Sequence, residues 1–205
     1  MVPISADFVH TRLQAAGIEL GPDLSEQLAA YLRLLQQWNR VFNLTGLRDA
    51  RMLVERHLHE SLALRPLLRG PRIADVGTGA GLPGIPLAVA EPERDFTLIE
   101  SRAKRVRFLR HVAATLGLGN VTVEHVRVED LPTAAPFDTV LARAVAPPTQ
   151  LLHIVRPLTA PGSILLLLTA AHLRAELEAV AHDFRALDVG AVPLVRSAIV
   201  MLERQ

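Results

Sequence analysis

The sequence predicts an α/β protein: a mostly parallel seven-stranded sheet with one strand reversed at its C-terminal end, preceded by a helical extension. Three observations carry this expectation. From Arg72 onward, apolar runs of strand length alternate with segments of helical period, and that alternation builds a parallel sheet with helices on both faces. The first run, Ile73–Val76, breaks into Asp75-Val76-Gly77-Thr78-Gly79-Ala80-Gly81 and then feeds an apolar helix. Glycines at such a turn tolerate positive φ and let the backbone touch a ligand. The last two strand-like runs are joined by a short turn, and a parallel crossover needs a dozen or more residues, so that pair must be antiparallel.

Residues 1–70 read as a helical subdomain and residues 71–205 as the sheet-bearing domain. Ser5 is a good N-cap for a helix over Ala6–Ala16, which Gly17 can end. Asp23 or Ser25 opens a second helix through Trp38, where Leu28, Leu32, Leu35 and Trp38 recur at helical spacing. Asn43 and Gly46 mark a turn, and Asp49 caps a third helix over Ala50–Leu68. The strands then follow as Ile73–Val76, Phe96–Ile99, Val121–Val126, Thr139–Ala142 and Ser163–Leu168. The intervening helices are Pro83–Ala90, Ala103–Leu116 closed by Gly117, Thr149–Leu158 and Ala171–His182. Ala186–Val195 and Ala198–Leu202 are the final strand pair. Pro83 suits a first helical turn, where its missing N–H is no loss, and Pro86 is still early enough to be tolerated.

Composition bounds the function. The chain has 205 residues, half of them hydrophobic but only 4% aromatic, so the core rests on Leu, Val, Ala and Ile. It has no cysteine, which excludes disulfides, thiolate metal sites and a cysteine nucleophile and fits a reducing cytoplasm. A formal net charge of +1 confines any nucleic-acid surface to a local patch. No apolar run approaches membrane-spanning length, so no membrane partner is expected. His57 and His59 flank Leu58 beside Glu60, but a spacing of i, i+2 puts them on different helix faces, unlike the i, i+4 pair of a zinc helix. No metal site is expected there.

Two readings of the glycine turn compete. Gly79-Ala80-Gly81-Leu82-Pro83-Gly84 fits the dinucleotide fingerprint, with Glu100 about 20 residues on to hold ribose hydroxyls. Asp75-x-Gly77-x-Gly79-x-Gly81 instead resembles the first motif of Rossmann-like, class I S-adenosylmethionine methyltransferases. In that class the leading acid lies near the cationic methionine end of the donor, and the second acid, here Glu100, binds ribose. Asp75 favours the second reading, because a carboxylate beside a pyrophosphate would be repelled. A parallel sheet finished by one reversed strand also belongs to that class.

Six separated motifs occur in order: Trp38-Asn39-x-x-x-Asn43-Leu44-Thr45, Arg56-His57, Asp75-Val-Gly-Thr-Gly-x-Gly-Leu-Pro-Gly-Ile-Pro86, Lys104-Arg105-Val-x-Phe-Leu109, Arg127-Val128-Glu129 and Arg143-Ala144-Val145-Ala146. Together they resemble the 16S ribosomal RNA guanine-N7 methyltransferase family, also called glucose-inhibited division protein B, over roughly residues 25–170. The resemblance implies S-adenosylmethionine as methyl donor and a guanine of 16S rRNA as acceptor, in the 30S subunit or a precursor, in the cytoplasm. The chain departs from the family pattern at Glu60, where Asp is common, and at Leu168-Thr169-Ala170, where Leu-Lys-Gly is frequent.

The site residues follow. Gly77, Gly79 and Leu82 fall where the turn would pass the methionine and ribose of the donor. Glu100, at the tip of the second strand, can accept from both ribose hydroxyls, or serve as a helix N-terminal acid for the next helix. Val128 and Glu129 lie on the carboxyl edge of the sheet, where such sheets bind ligands, and by the resemblance border the adenine. Arg143 ends the fourth strand and is placed to position either the donor or the target nucleotide. Guanine N7 has a free lone pair and no proton to lose, so alignment and electrostatics suffice and no general base is expected; no catalytic residue is assigned. Lys104, Arg107 and Arg110 project from the polar face of the second sheet helix as a candidate phosphate-contacting surface, with Arg40, Arg48, Arg51 and Arg56 as possible extensions. Trp38 and Phe42 read as core rather than as base-stacking platforms. Two other readings stay open: a class I methyltransferase acting on a small molecule or protein, and a nucleotide-binding module without catalysis.

Overall fold

The computed structural model describes residues 3–132, 135–143, 147–170, 172–190, 195 and 197–205. Helix α1 (Ala6–Ala15) opens on the Ser5 hydroxyl, which accepts from the Phe8 N–H, and turns off at Gly17 with φ +72°. Helix α2 (Pro22–Phe42) starts earlier and ends later than its apolar spacing suggests. Pro22 presets the helical φ at the first position, and Ser25 is an interior residue whose hydroxyl donates to the Gly21 carbonyl. The last turn is retained because Trp38 packs on Phe42 with ring centroids 5.4 Å apart, and left-handed Asn43 then ends the helix.

The third helix begins as expected, with the Asp49 carboxylate accepting from the Met52 N–H. It is not uniform. α3 (Ala50–Met52) passes into a π-helical segment (Leu53–Leu58), in which the His59 N–H reaches back to the Val54 carbonyl, then into α4 (His59–Leu62) and a 3-10 turn (Arg65–Leu67). Such wide turns are frequent at functional sites.

The seven strands are β1 (Arg72–Val76), β2 (Asp95–Ile99), β3 (Val121–Glu124), β4 (Thr139–Arg143), β5 (Ile164–Thr169), β6 (Phe184–Leu187) and β7 (Ala198–Arg204). They lie in the order β3-β2-β1-β4-β5-β7-β6, and β7 alone runs antiparallel to its neighbours. Most of β1, β4 and β5 is buried on both faces, which is why they read as apolar runs rather than alternating ones. Edge strands β3 and β6 are partly exposed. The expected short turn before β7 is a longer connection over residues 188–197, of which 191–194 and 196 lie outside the described residues; the antiparallel pairing itself holds. Helices α5 (Gly84–Ala90), α6 (Ala103–Leu116), α7 (Pro148–Val155) and α8 (Leu173–Val180) connect the strands.

The N-terminal helices do not stand apart. Leu28, Leu32, Leu35, Leu53 and Leu58 share one buried cluster with Ile85, Leu98, Phe108 and Leu109 from the sheet layer. Tyr31, fully buried, donates its hydroxyl to the Ala80 carbonyl at 2.9 Å and so fastens α2 to the glycine turn. Chain order reverses between β1 and β4, so the carboxyl ends of these strands open the crevice where ligands bind in such sheets. Among the described residues no helix is long and apolar enough to cross a membrane.

Candidate active site

Two clefts open at the carboxyl edge of the sheet. The first, of about 300 Å³, lies over β1, β2 and the loop after β3, with Val76, Gly77, Glu100, Val128, Glu129 and Gln150 on its walls. Four of the residues expected to bind donor therefore share one cavity. Gly77, Gly79 and Gly81 all take positive φ (+63°, +64° and +90°), a conformation that side chains resist. At Gly81 an added Cβ would also meet Ile85 Cγ1 at 2.5 Å. Leu82 is placed differently: it is buried in the cluster beneath the turn and supports the backbone rather than lining the cleft.

Asp75 is the electrostatic centre of the turn. It is 1% exposed, and its Oδ2 accepts from the Thr78 hydroxyl at 2.5 Å and from the Gly84 N–H at 2.8 Å. Its Oδ1 is buried without a partner. Burial pushes the carboxyl up to about 6, against the pull of those two hydrogen bonds and of the Arg143 cation. Near neutral pH it is mostly ionised, with no hydrogen bond at Oδ1.

Glu100 serves two purposes. Its Oε1 accepts from the Arg102 N–H, so it does act as an N-terminal acid for α6, and its Oε2 pairs with Arg105 at 3.2 Å. Arg105 is partly exposed and can swing away, so a ribose at this carboxylate competes with it. The Arg105 pairing was not anticipated from sequence; a cation one helical turn after a ligand-binding acid is its signal.

The second cleft, of about 560 Å³, lies over the ends of β4 and β5 and is closed from the other side by the π-helical segment. Arg143 lines this cleft and not the first, and its charge acts on Asp75 and His57 alike. Its neighbours Ala144-Val145-Ala146 lie outside the described residues. His57, 5% exposed, shares a 2.8 Å hydrogen bond with Thr45 through Nε2, while Nδ1 is unpaired. Burial, with Arg143 and Arg56 nearby, drives it down to about 3, so it stays neutral. Glu60 is 2% exposed and unpaired at Oε1, and Arg56 Nε is 3.7 Å from that oxygen, too far for a hydrogen bond. The sequence marks Arg56-His57 as a family motif and Arg56 as an extension of the phosphate-contacting surface but assigns His57 and Glu60 no role; the structure brings all three to the strand tips. His59 turns away and donates to the Arg12 carbonyl at 3.2 Å. Among the described residues no group of three or more His, Cys, Asp or Glu side chains is arranged to hold a metal ion.

Lys104, Arg107 and Arg110 are exposed on α6. Lys104 Nζ stands 5.8 Å over the Phe42 ring, and Trp38 rests against Phe108 and His111 with centroids 5.6 Å away. Arg51 is tied to Glu55 at 2.6 Å and is not drawn into this surface by any described contact.

A family model described as rRNA small subunit methyltransferase G (GidB) matches residues 24–198. The chain belongs to that family. A GidB relative, the ribosomal RNA small subunit methyltransferase G of Serratia proteamaculans, is 47% identical over 150 residues, 73% of each chain. That of Halorhodospira halophila is 43% identical over 189 residues, 92% of this chain and 90% of the relative. Among solved structures, a SAM-dependent methyltransferase from Aquifex aeolicus superposes with a TM-score of 0.61 at 19% identity, covering 80% of this chain and 97% of that one. The O-methyltransferase TomG from Streptomyces achromogenes, crystallised with SAM, gives 0.59 at 20% identity over 96% and 95%. These two likenesses carry the fold. The residues of the GidB chain fit the donor its methyltransferase fold implies: an unpaired buried carboxylate oxygen at Asp75 suits an ammonium or sulfonium, and Glu100 suits vicinal hydroxyls.

Proposed function

We propose that the protein transfers a methyl group from S-adenosylmethionine to N7 of one guanine in 16S rRNA, presented in the 30S subunit or a precursor of it, in the cytoplasm. The observation that supports this reading is the pair of clefts at the carboxyl edge of the sheet: one walled by Gly77, Glu100, Val128 and Glu129, the other by Arg143 and by polar groups of the helical segment. In this division of labour residues 71–205 hold the donor, with Gly77, Gly79 and the Leu82-supported turn along its methionine and ribose, and Val128 and Glu129 beside its adenine. Residues 1–70 close the acceptor side.

When bound, the donor supplies a methyl on a positively charged sulfur. The guanine N7 lone pair forms the new C–N bond as the C–S bond breaks, and the positive charge passes to the purine. No proton moves in that step, so the chain supplies no general base and no metal is called for. His57, held neutral down to about pH 3, is too weak a base for such a role in any case. Arg143, on the wall of the acceptor cleft, is a positioning residue. Lys104, Arg107 and Arg110 meet phosphates.

The test uses 30S particles from cells that lack the gene. Incubation with the purified protein and labelled donor should restore one N7-methylguanine, located by mass mapping of 16S rRNA. Absence of product on 30S particles and on 16S rRNA, with turnover of small acceptors instead, overturns the reading in favour of a small-molecule methyltransferase.

A further inference from the structure

Three polar atoms of the second cleft make no hydrogen bond within the protein: Arg56 Nε and Glu60 Oε1, which face each other as an ion pair at 3.7 Å, and His57 Nδ1. An unmade hydrogen bond at a buried group costs about 1–3 kcal/mol, and more where the group is charged. The three residues lie on one helical segment, Arg56 and His57 adjacent and Glu60 one turn on, and all line the same cleft. A ligand that brings donors for the carboxylate and an acceptor for the cation completes hydrogen bonds that the 3.7 Å ion pair leaves unmade. The walls beside them are apolar, with Leu47, Leu151 and Leu167 among them, as a flat ring requires.

Guanine carries that set on its Watson–Crick edge, with N1–H and the N2 amino group as donors next to the O6 acceptor. N7 lies on the opposite, Hoogsteen side of O6, so an edge held this way leaves N7 free. Resting on the proposed function, we infer that Glu60 is the specificity-determining residue of the acceptor cleft, accepting from guanine N1–H and the N2 amino group while Arg56 donates to O6. His57 Nδ1, without a hydrogen bond on the same wall, is a donor for O6 in the tautomer in which the Thr45 hydroxyl donates to Nε2. Adenine is rejected by the same groups. Its N1 is an acceptor, which would face the carboxylate lone pairs, and its amino group would face the Arg56 cation. A missing hydrogen bond in a site built to make it discriminates far more strongly than a missing methylene.

The experiment changes the RNA and the protein separately. 30S particles are assembled on 16S rRNA with the target guanine either intact or replaced by inosine, which keeps N1–H, O6 and N7 but lacks the N2 amino group. Wild-type protein should methylate the guanine particle with kcat/KM at least tenfold above the inosine particle. Glu60→Ala should lose at least a hundredfold on guanine, while the guanine-to-inosine ratio falls to about one; Glu60→Asp should recover much of both. Binding of S-adenosylhomocysteine by calorimetry should be unchanged in both variants, which separates loss of the acceptor site from loss of fold. Equal rates on guanine and inosine for wild type overturn the inference whether or not the variants fold. Equal guanine-to-inosine ratios for wild type and Glu60→Ala overturn it too. If wild type methylates neither particle, the proposed function fails instead, and the two failures are distinct.

Discussion

Asp75→Asn should make the protein less able to bind its donor without making it less stable. Asp75 is fully buried, and burial lifts its carboxyl from 3.8 to about 6. A difference of about two units, at 1.36 kcal/mol each, means that the ionised side chain burdens the folded state by about 3 kcal/mol near pH 7.5. The sign follows from the direction of the shift. A folded value above the unfolded one favours the native state at low pH, so the burden is full above about 6, shrinks as pH falls through that value and vanishes below the unfolded value. Near pH 5 roughly half of it is gone, a change of about 1.4 kcal/mol. The amide oxygen can still accept from Thr78 and Gly84, but the amide nitrogen takes the place of the unpaired Oδ1 and offsets about 1–3 kcal/mol of the gain. The net effect near pH 7.5 is therefore between nothing and about 2 kcal/mol of stabilisation. Whatever the amide contributes, it does not titrate, so the gap between variant and wild type should close by about 1.4 kcal/mol on acidification. Urea unfolding of both proteins without ligand, near pH 7.5 and near pH 5, measures it. Calorimetry with S-adenosylmethionine should show at least a tenfold loss of affinity in the variant, about 1.4 kcal/mol. A stability gap independent of pH refutes the electrostatic account of Asp75, and undiminished donor affinity refutes its role beside the sulfonium or ammonium.

Tyr31→Phe removes the hydroxyl that donates to the Ala80 carbonyl; it should cost about 1–3 kcal/mol in urea unfolding and weaken donor binding, because it frees the glycine turn from α2. Gly84→Ala puts a methyl 2.4 Å from Leu98 Cδ2 and 2.7 Å from Asp75 Oδ2, so about 1–3 kcal/mol should be lost together with donor affinity. Gly117→Ala is the control: its Cβ meets nothing within 4 Å but must adopt φ +65°, for a loss of about 1–2 kcal/mol with donor binding unchanged. Lys104 is the only lysine in the chain, so amine acetylation or Lys104→Ala should weaken RNA binding and lower the salt dependence, d log K/d log[salt], by about one, with donor affinity untouched.

The parallel sheet was legible because its signal is local. The centre of the sheet is buried on both faces, and two-sided burial writes an apolar run such as Ile164–Leu168 directly into the sequence. Helix α6 was legible to its last residue, since Gly117 in the left-handed region stops it and Val106, Leu109 and Val112 fix its buried face. The π-helical segment was not. Its side chains have ordinary helical spacing, and whether a turn closes on the fourth or the fifth carbonyl is settled by how Leu53, Val54 and Leu58 pack against α1 and α2. The length of α2 was missed for a similar reason, because its last turn is held by contact between Trp38, Phe42 and Phe108 rather than by a cap.

The two clefts differ in the same way. The first is assembled from a βα turn and the tips of neighbouring strands, so Gly77, Glu100, Val128 and Glu129 can each be read from position relative to a strand end. The second draws on the loop at Leu47, the helical segment from Arg56 to Glu60, the end of β4 and the end of β5, and no spacing in the chain links these. What the sequence does hold is a contradiction. His57 and Glu60 share a helical segment with Leu53, Val54, Leu58 and Leu62, whose burial leaves them little solvent, while Arg56 beside them is half-buried. Polar groups forced inward beside such a stripe must find partners or lack them. His59 and Ser61 find backbone carbonyls, at Arg12 and His57. Arg56, His57 and Glu60 each keep one buried atom without a hydrogen bond, and that remainder appears only once the chain is folded, which is why no pattern in the sequence marks it.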